Sequence, residues 1–202
     1  MACTLYIAST NPGKLRDFRL AASRHGIEIL PLPGLKDIEA PAEDGLTFAD
    51  NASEKAIYYS RFLPGKMVLA DDSGLEVDFL QGAPGVRSAR FAADAGFSQA
   101  DTPDANNNLF LLQQLAGVAD TERGARYRCA LAVAQDGVPV IVAEGAAEGR
   151  ILTAPLGRGG FGYDPLFYVP ALERTMAEID DQTRWTHSHR GQAFCALLEV
   201  LV

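Results

Sequence analysis

Two apolar rhythms alternate along this chain: short runs of β-type residues, and stretches in which apolar side chains recur every three or four positions. Thr4 to Ala8 is a β-type run that stops at Ser9-Thr10-Asn11-Pro12-Gly13-Lys14, after which Leu15, Phe18 and Ala22 keep helical spacing. This predicts strand, polar turn and helix. Asn11 before Pro12 suits an N-cap with proline at the first helical position, so the turn's free N–H groups should point out past the strand end. Ile27 to Leu30 reads as a second strand, followed by a connection rich in Pro31, Pro33, Gly34 and Pro41. Thr47 and Asp50 resemble a capping pair for a helix with Phe48, Ala52, Ala56 and Tyr59 on its apolar side, ending at Pro64-Gly65. Met67 to Ala70 predicts a short buried strand that delivers Asp71 and Asp72 at its end, with Gly74 allowing a sharp turn directly after them.

Gly82 to Asn108 reads as loop-rich until Thr102-Pro103 starts a helix bearing Leu109, Leu112 and Leu115 and stopped by Gly117. Tyr127, Cys129, Leu131 and Val133 alternate with other residues, Asp136-Gly137 makes a hairpin turn, and Val138 to Val142 returns antiparallel. Leu166 to Val169 looks extended. A last helix follows Ser188 and carries Phe194, Leu197, Leu198 and Leu201 on its apolar side. No internal repeat or low-complexity tract interrupts the pattern, so the expected class is α/β with a mixed sheet.

Composition narrows the function. The 202 residues are 48% hydrophobic and 22% charged, ordinary for a globular chain of one domain or two lobes sharing a sheet. A formal net charge of −8 argues against a sequence-independent grip on nucleic acid, which needs a basic surface to displace counterions. Any polyphosphate ligand must then be met by local cations. Cys3, Cys129 and Cys195 are odd in number and widely spaced, so they read as small core residues of a reducing cytosol rather than as zinc or redox pairs. No charged leader with an apolar run begins the chain, and no apolar stretch nears the roughly 20 residues that span a bilayer. A soluble, cytoplasmic protein is expected.

Three stretches could carry chemistry. Asp71-Asp72-Ser73-Gly74 offers adjacent carboxylates, one to hold a hard cation and one to orient or deprotonate water, with an Asx-type turn as the alternative. Glu43 is a candidate third carboxylate or a solvated loop charge. Gly157-Arg158-Gly159-Gly160-Phe161-Gly162 satisfies GxGxxG but fails the mechanism behind it: Tyr163-Asp164-Pro165 and an extended run follow, not a helix. Walker and kinase motifs are also missing. The stretch is either a flexible turn or a place where backbone approaches a flat ligand while Phe161 or Tyr163 stacks on it. Thr186-His187-Ser188-His189-Arg190 precedes the last helix, so a Ser188 cap would set His189 and Arg190 in its first turn. A cation there opposes the helix dipole, and an anionic or carbonyl-bearing ligand would explain it; an exposed basic turn is the alternative.

Taken in order, five blocks resemble one family, the inosine triphosphate pyrophosphatases. They are Ser9 to Lys14; Glu43-Asp44-Gly45-Leu46-Thr47-Phe48 with Asn51-Ala52 and Lys55-Ala56; Ala70 to Leu75 with Gly82-Ala83-Pro84-Gly85 and Ser88-Ala89-Arg90; Gly160 to Pro165 with Phe167; and Ser188 to Ala193. The resemblance spans nearly the whole chain. It implies one catalytic domain over 1–202, an elongated α/β fold of two lobes around a mixed sheet flanked by helices, a nucleotide cleft between the lobes, and a homodimer. It further implies that Ser9, Thr10, Asn11, Lys14 and Lys55 meet the triphosphate. By the same resemblance Glu43 and Asp72 hold magnesium (Mg2+), Asp72 also activates water, and Ser73 lies beside the substrate. Phe161 would stack on the purine, while Gly162, Tyr163, Asp164, Arg184, His189 and Arg190 shape the base pocket. Arg184 departs from the lysine common at that position, a planar fork in place of a point charge. Asp50 stands where the family has glutamate.

The implied activity is hydrolysis of ITP, dITP and XTP to monophosphate and pyrophosphate. Two other readings remain at this point: a pyrophosphatase for modified pyrimidine nucleotides, and a catalytically silent nucleotide-binding module.

Overall fold

The structure, a computed structural model, describes residues 3–201. It is a mixed α/β fold. Strand β1 (Cys3–Ile7) leads into helix α1 (Pro12–Ser23) and returns as β2 (Ile27–Pro31), parallel to β1 with Leu5 opposite Ile29. Helix α2 (Phe48–Ser60) then precedes β3 (Met67–Val77), which joins the other side of β1 in parallel, Tyr6 opposite Val68. A turn at Gly85–Arg90, the short α3 (Phe91–Asp94) and α4 (Pro103–Gln114) follow. β4 (Gly124–Gln135) and β5 (Val138–Ile151) form the hairpin, and β6 (Phe167–Val169) and β7 (Arg174–Thr175) pair antiparallel beyond β5. α5 (Asp181–His187) and α6 (His189–Leu201) close the chain. The seven strands lie in the order β2-β1-β3-β4-β5-β6-β7.

Contacts divide the chain into two compact units. The first comprises 1–72, 129–145 and 189–202, and the second 73–128 and 146–188. In the first, Leu5 and Ile7 of β1, Val68 and Leu69 of β3, Phe18 of α1 and Phe194 of α6 are buried, and the two phenyl rings lie 5.7 Å apart. In the second, one cluster gathers Leu75, Val77, Leu111, Leu115, Tyr127, Ile151, Leu166, Phe167 and Met176. Burial of such side chains contributes about 1.5–3 kcal/mol each before entropy is counted.

Local chemistry explains the element ends. Asn11 caps α1, its carboxamide oxygen accepting from the N–H groups of Gly13 (2.9 Å) and Lys14 (3.2 Å), with Pro12 at the first position. Those two groups are thus engaged by the cap rather than directed outward. Thr47 accepts from the Asp50 N–H, and Thr102 from the Ala105 N–H. Asp136 (φ 53°) and Gly137 (φ 79°) make the two-residue hairpin turn whose twist matches its strands.

Several expectations need correction. β3 does not stop at Ala70 but runs to Val77, so Asp71 and Asp72 sit in mid-strand. The reason is packing: Gly74 lies where a Cβ would overlap the Ser88 side chain and the Gly85 carbonyl, so glycine here admits a close neighbour and makes no turn. On α4 Leu111 is buried, as is Leu115 just past the helix end, while Leu109 is exposed. α5 and β7 were not foreseen. Ser188 ends α5, its hydroxyl donating to the Trp185 carbonyl. Cys129 is buried, with burial raising its thiol pKa to about 12, whereas Cys195 is exposed; the burial of Cys3 lies outside the described residues. No described helix is long and apolar enough to cross a membrane.

Candidate active site

The first unit concentrates charge on adjacent strand positions. Successive side chains on a strand leave from opposite faces, so Asp71 and Asp72 meet different helices. Asp71 is buried and receives Lys14 Nζ of α1 at 2.6 Å. Burial works against its ionised form, but Lys14, Arg190 and Lys55 outweigh it and hold the carboxyl below the usual range. Asp72 turns to α2: Asn51 Nδ2 donates to its Oδ2 at 3.0 Å, and Lys55 Nζ stands 3.3 Å from its Oδ1. The same ammonium lies 3.3 Å from Glu43 Oε1. Burial raises the pKa of Asp72, aided by Glu43, and the Lys55 and Asn51 contacts only partly offset this. Lys55 is shifted upward even though burial opposes its charge, because Asp72, Asp71 and Glu43 surround it. A carboxyl raised in this way is suited to taking a proton from water.

Asn51 was absent from the candidate residues, although it is almost fully buried and links two parts of this cluster. Its Oδ1 accepts from the Gly45 N–H at 2.8 Å while its amide reaches Asp72, so it ties the acidic loop to the strand. The available signal was spacing: Asn51 and Lys55 are four apart on one helix and share a face.

Around the first turn, Ser9 Oγ accepts from the Asn11 N–H, and Ser9 and Thr10 line a hollow of about 410 Å³ with Pro31, Leu32 and the Gly34 to Asp37 turn. His189 is buried at the start of α6; burial, then the neighbouring Arg190 and Lys14 charges, depress its pKa well below the ordinary histidine value. The imidazole is therefore neutral at pH 7. α6 can begin so close to β5 because a Cβ on Gly145 would overlap the backbone of His189 and Ala193.

The second unit holds Ser73, Phe161, Gly162, Tyr163, Asp164 and Arg184. Phe161 is 39% exposed, unlike its buried neighbours Tyr163 and Asp164. The Tyr163 hydroxyl donates to the Ser88 carbonyl at 2.8 Å. Asp164 accepts from the Tyr127 hydroxyl (3.0 Å) and from the Phe161 N–H (3.1 Å). Gly160 has φ 72°, and a Cβ there would overlap the Asp164 carboxylate. Arg184 spreads its fork over the carbonyls of Met176 (3.0 Å) and Ile179 (2.7 Å) and the Asp181 carboxylate (2.7 Å), while Gly159 N–H donates to the intervening Ala177 carbonyl. Arg184 thus braces the segment on which the glycine turn rests. Tyr127 was not singled out by position; only its buried hydroxyl reveals it.

Among the described residues no group of three or more His, Cys, Asp or Glu is disposed to hold a metal ion. Glu43 and Asp72 nonetheless flank one cation, the Lys55 ammonium, and present only oxygen. That donor set fits magnesium, which commonly takes one or two carboxylates and completes its shell with phosphate and water.

Comparison with known proteins places this arrangement. The chain is 58% identical over 200 residues to the dITP/XTP pyrophosphatase of Acidobacterium capsulatum, covering 98% of both chains. It is 44% identical to the dITP/XTP pyrophosphatase of Desulforamulus reducens over 98% of this chain and 94% of that one. Among solved structures, the Ham1 protein of Staphylococcus aureus superposes with a TM-score of 0.83 at 35% identity, covering 98% of this chain and 97% of that one. The dITP/XTP pyrophosphatase of Mycobacterium abscessus superposes with a TM-score of 0.76 at 37% identity, covering 98% and 100%. The Ham1 family profile matches residues 5–200, and with full-length relatives sharing both sequence and fold, the chain belongs to the Ham1 family.

Proposed function

We propose that this protein hydrolyses dITP, XTP and ITP to the monophosphate and pyrophosphate. The observation that carries the reading is the paired-carboxylate strand, with Asp71 neutralised by Lys14 and Asp72 left with a raised pKa beside Lys55 and Glu43. The full-length relatives named for this activity support it.

Attack on a triphosphate is opposed by its own charge, so cations must neutralise the phosphates before water approaches. Ser9, Thr10, Asn11, Lys14 and Lys55 are assigned to the triphosphate. Asp72 accepts the proton of the attacking water, Asn51 keeps its carboxylate oriented, and Ser73 adjoins the substrate. Glu43 and Asp72 would hold magnesium, which when bound supplies charge neutralisation of the phosphates. Phe161 stacks on the purine, supported by Gly162. His189 and Arg190 read the base: a neutral imidazole and a cation suit a 6-oxo group, and ATP would face a donor with its amino group. Tyr163, Asp164 and Arg184 shape the pocket through the turn they hold, since their polar groups are engaged within the protein. The catalytic domain is the whole chain, acting as a cytoplasmic homodimer.

The deciding experiment is ITP hydrolysis in ¹⁸O-labelled water across a panel of ATP, GTP, ITP, dITP, XTP and dTTP, with magnesium and with chelator. Label in IMP, selectivity for the non-standard purines and loss of turnover in chelator are expected. Label in orthophosphate would overturn the assigned bond, and preference for dTTP the assigned base.

A further inference from the structure

Helix α4 contributes two side chains to the Phe161 turn that no step above uses. Gly162 has φ 62°, and both of its backbone polar groups are taken by residues four apart on α4: its N–H donates to Asp104 Oδ2 at 2.7 Å, and its carbonyl accepts from Asn108 Nδ2 at 2.8 Å. Asn108 Nδ2 also donates to the Asp104 carbonyl at 2.8 Å, which joins the two holders to each other. The spacing of four places them on one helix face. One residue back, the Phe161 N–H is held by Asp164. The peptide groups on both sides of Phe161 are therefore fixed, while the residue itself is 39% exposed.

An exposed aromatic on a tethered backbone is an unusual use of hydrogen bonds. Two charged or amide side chains are committed to one glycine at the surface, where water could satisfy the same groups. What the tether supplies is order before binding: a ring already set at its stacking angle loses less conformational freedom when a flat ligand arrives. We propose that Asp104 and Asn108 are positioning residues that preset Phe161 for the purine ring, and so set base affinity without touching the reacting phosphate. This rests on the reading of Phe161 as the base-stacking residue.

Asp104→Ala, Asp104→Asn and Asn108→Leu are to be compared with the wild-type protein by hydrogen exchange at Phe161 and Gly162, by ITP kinetics, and by competitive inhibition with inorganic tripolyphosphate, which has no base. Asp104→Ala and Asn108→Leu should lose amide protection across 160–162 and raise KM for ITP about 10-fold, the effect of losing roughly one such hydrogen bond to a charged or amide group. kcat should stay within about 3-fold, because the groups around the reacting phosphate are unaltered. Asp104→Asn keeps an acceptor and should recover most of the affinity. Tripolyphosphate inhibition should not change. Unchanged exchange in Asp104→Ala would show that no clamp exists, and lost protection with an unchanged KM would show that the clamp does not serve the nucleotide. An equal loss of tripolyphosphate inhibition would mark the effect as general unfolding and overturn the positioning role. If wild-type protein fails to hydrolyse ITP, the functional reading fails; the clamp is then judged on exchange and on ITP binding by equilibrium dialysis.

Discussion

The two units solve the same problem, holding polar groups in a fixed geometry, by different physics. In the first, Asp71, Asp72 and Glu43 are held by ion pairs to Lys14 and Lys55. In the second, the Gly157 to Gly162 turn is held through its backbone: Ala177 takes the Gly159 N–H, Asp164 the Phe161 N–H, and Asp104 and Asn108 the two groups of Gly162. Ion pairs act over several ångströms and tolerate small displacements, so they suit the neutralisation of phosphate that the proposed function requires. Hydrogen bonds to a glycine backbone fix direction and suit the presentation of a flat ring.

The contrast can be broken most severely at Asp72. On the proposed mechanism Asp72→Asn removes the base and a metal charge while preserving size, so kcat for ITP should fall by about 10² to 10⁴-fold, with KM changed far less. A near-normal pyrophosphate-release rate would remove Asp72 from the chemistry.

Next in size is a stability effect confined to the first unit. Lys14→Met strands the buried Asp71 carboxylate, and chemical denaturation should report a loss of about 3 kcal/mol. Adding Asp71→Asn should restore much of it, since the cost is the uncompensated charge and not the lost contact. If the double variant is no better than the single, the pair is not electrostatic in origin.

A smaller effect follows from His189. Its folded pKa is depressed, so below about pH 6.5 the unfolded chain binds a proton that the folded one refuses. Stability is therefore fully present above that value and declines as pH falls toward the folded pKa, by at most about 1.4 kcal/mol per pH unit. The difference in unfolding free energy between wild type and His189→Gln, measured from pH 7.5 to 5, should shrink as pH falls. Parallel curves would mean that the fold does not shift the His189 pKa from its unfolded value.

The mildest test falls in the second unit. Arg184→Lys can keep one carbonyl bond but not the fork over Met176 and Ile179, and should lower stability by about 1 kcal/mol with activity largely retained. Arg184→Ala should lose more and weaken ITP binding through the turn. Identical melting curves for wild type and both variants would make the fork incidental.

Local signals along the chain were enough for much of this. Asn11-Pro12, Thr47, Thr102-Pro103 and Asp136-Gly137 named their own helix starts and hairpin, because caps and tight turns depend on residues within a few positions. The order of the five motif blocks sufficed to identify the family. What the sequence could not decide depends on contacts between distant residues. Gly74 reads as a turn in isolation and proves to lie in a strand, because Ser88, fourteen positions on, needs the space of its missing side chain. Asp71 and Asp72 look equivalent as neighbours, but opposite strand faces give one Lys14 and the other Asn51 and Lys55, so their pKa values move in opposite directions. Arg184, Tyr163 and Asp164 are visible as polar residues near a motif; only the fold shows that their polar groups are spent on Met176, Ser88 and Phe161, since hydrogen-bond partners 3 to 75 positions apart are set by tertiary packing and not by local pattern.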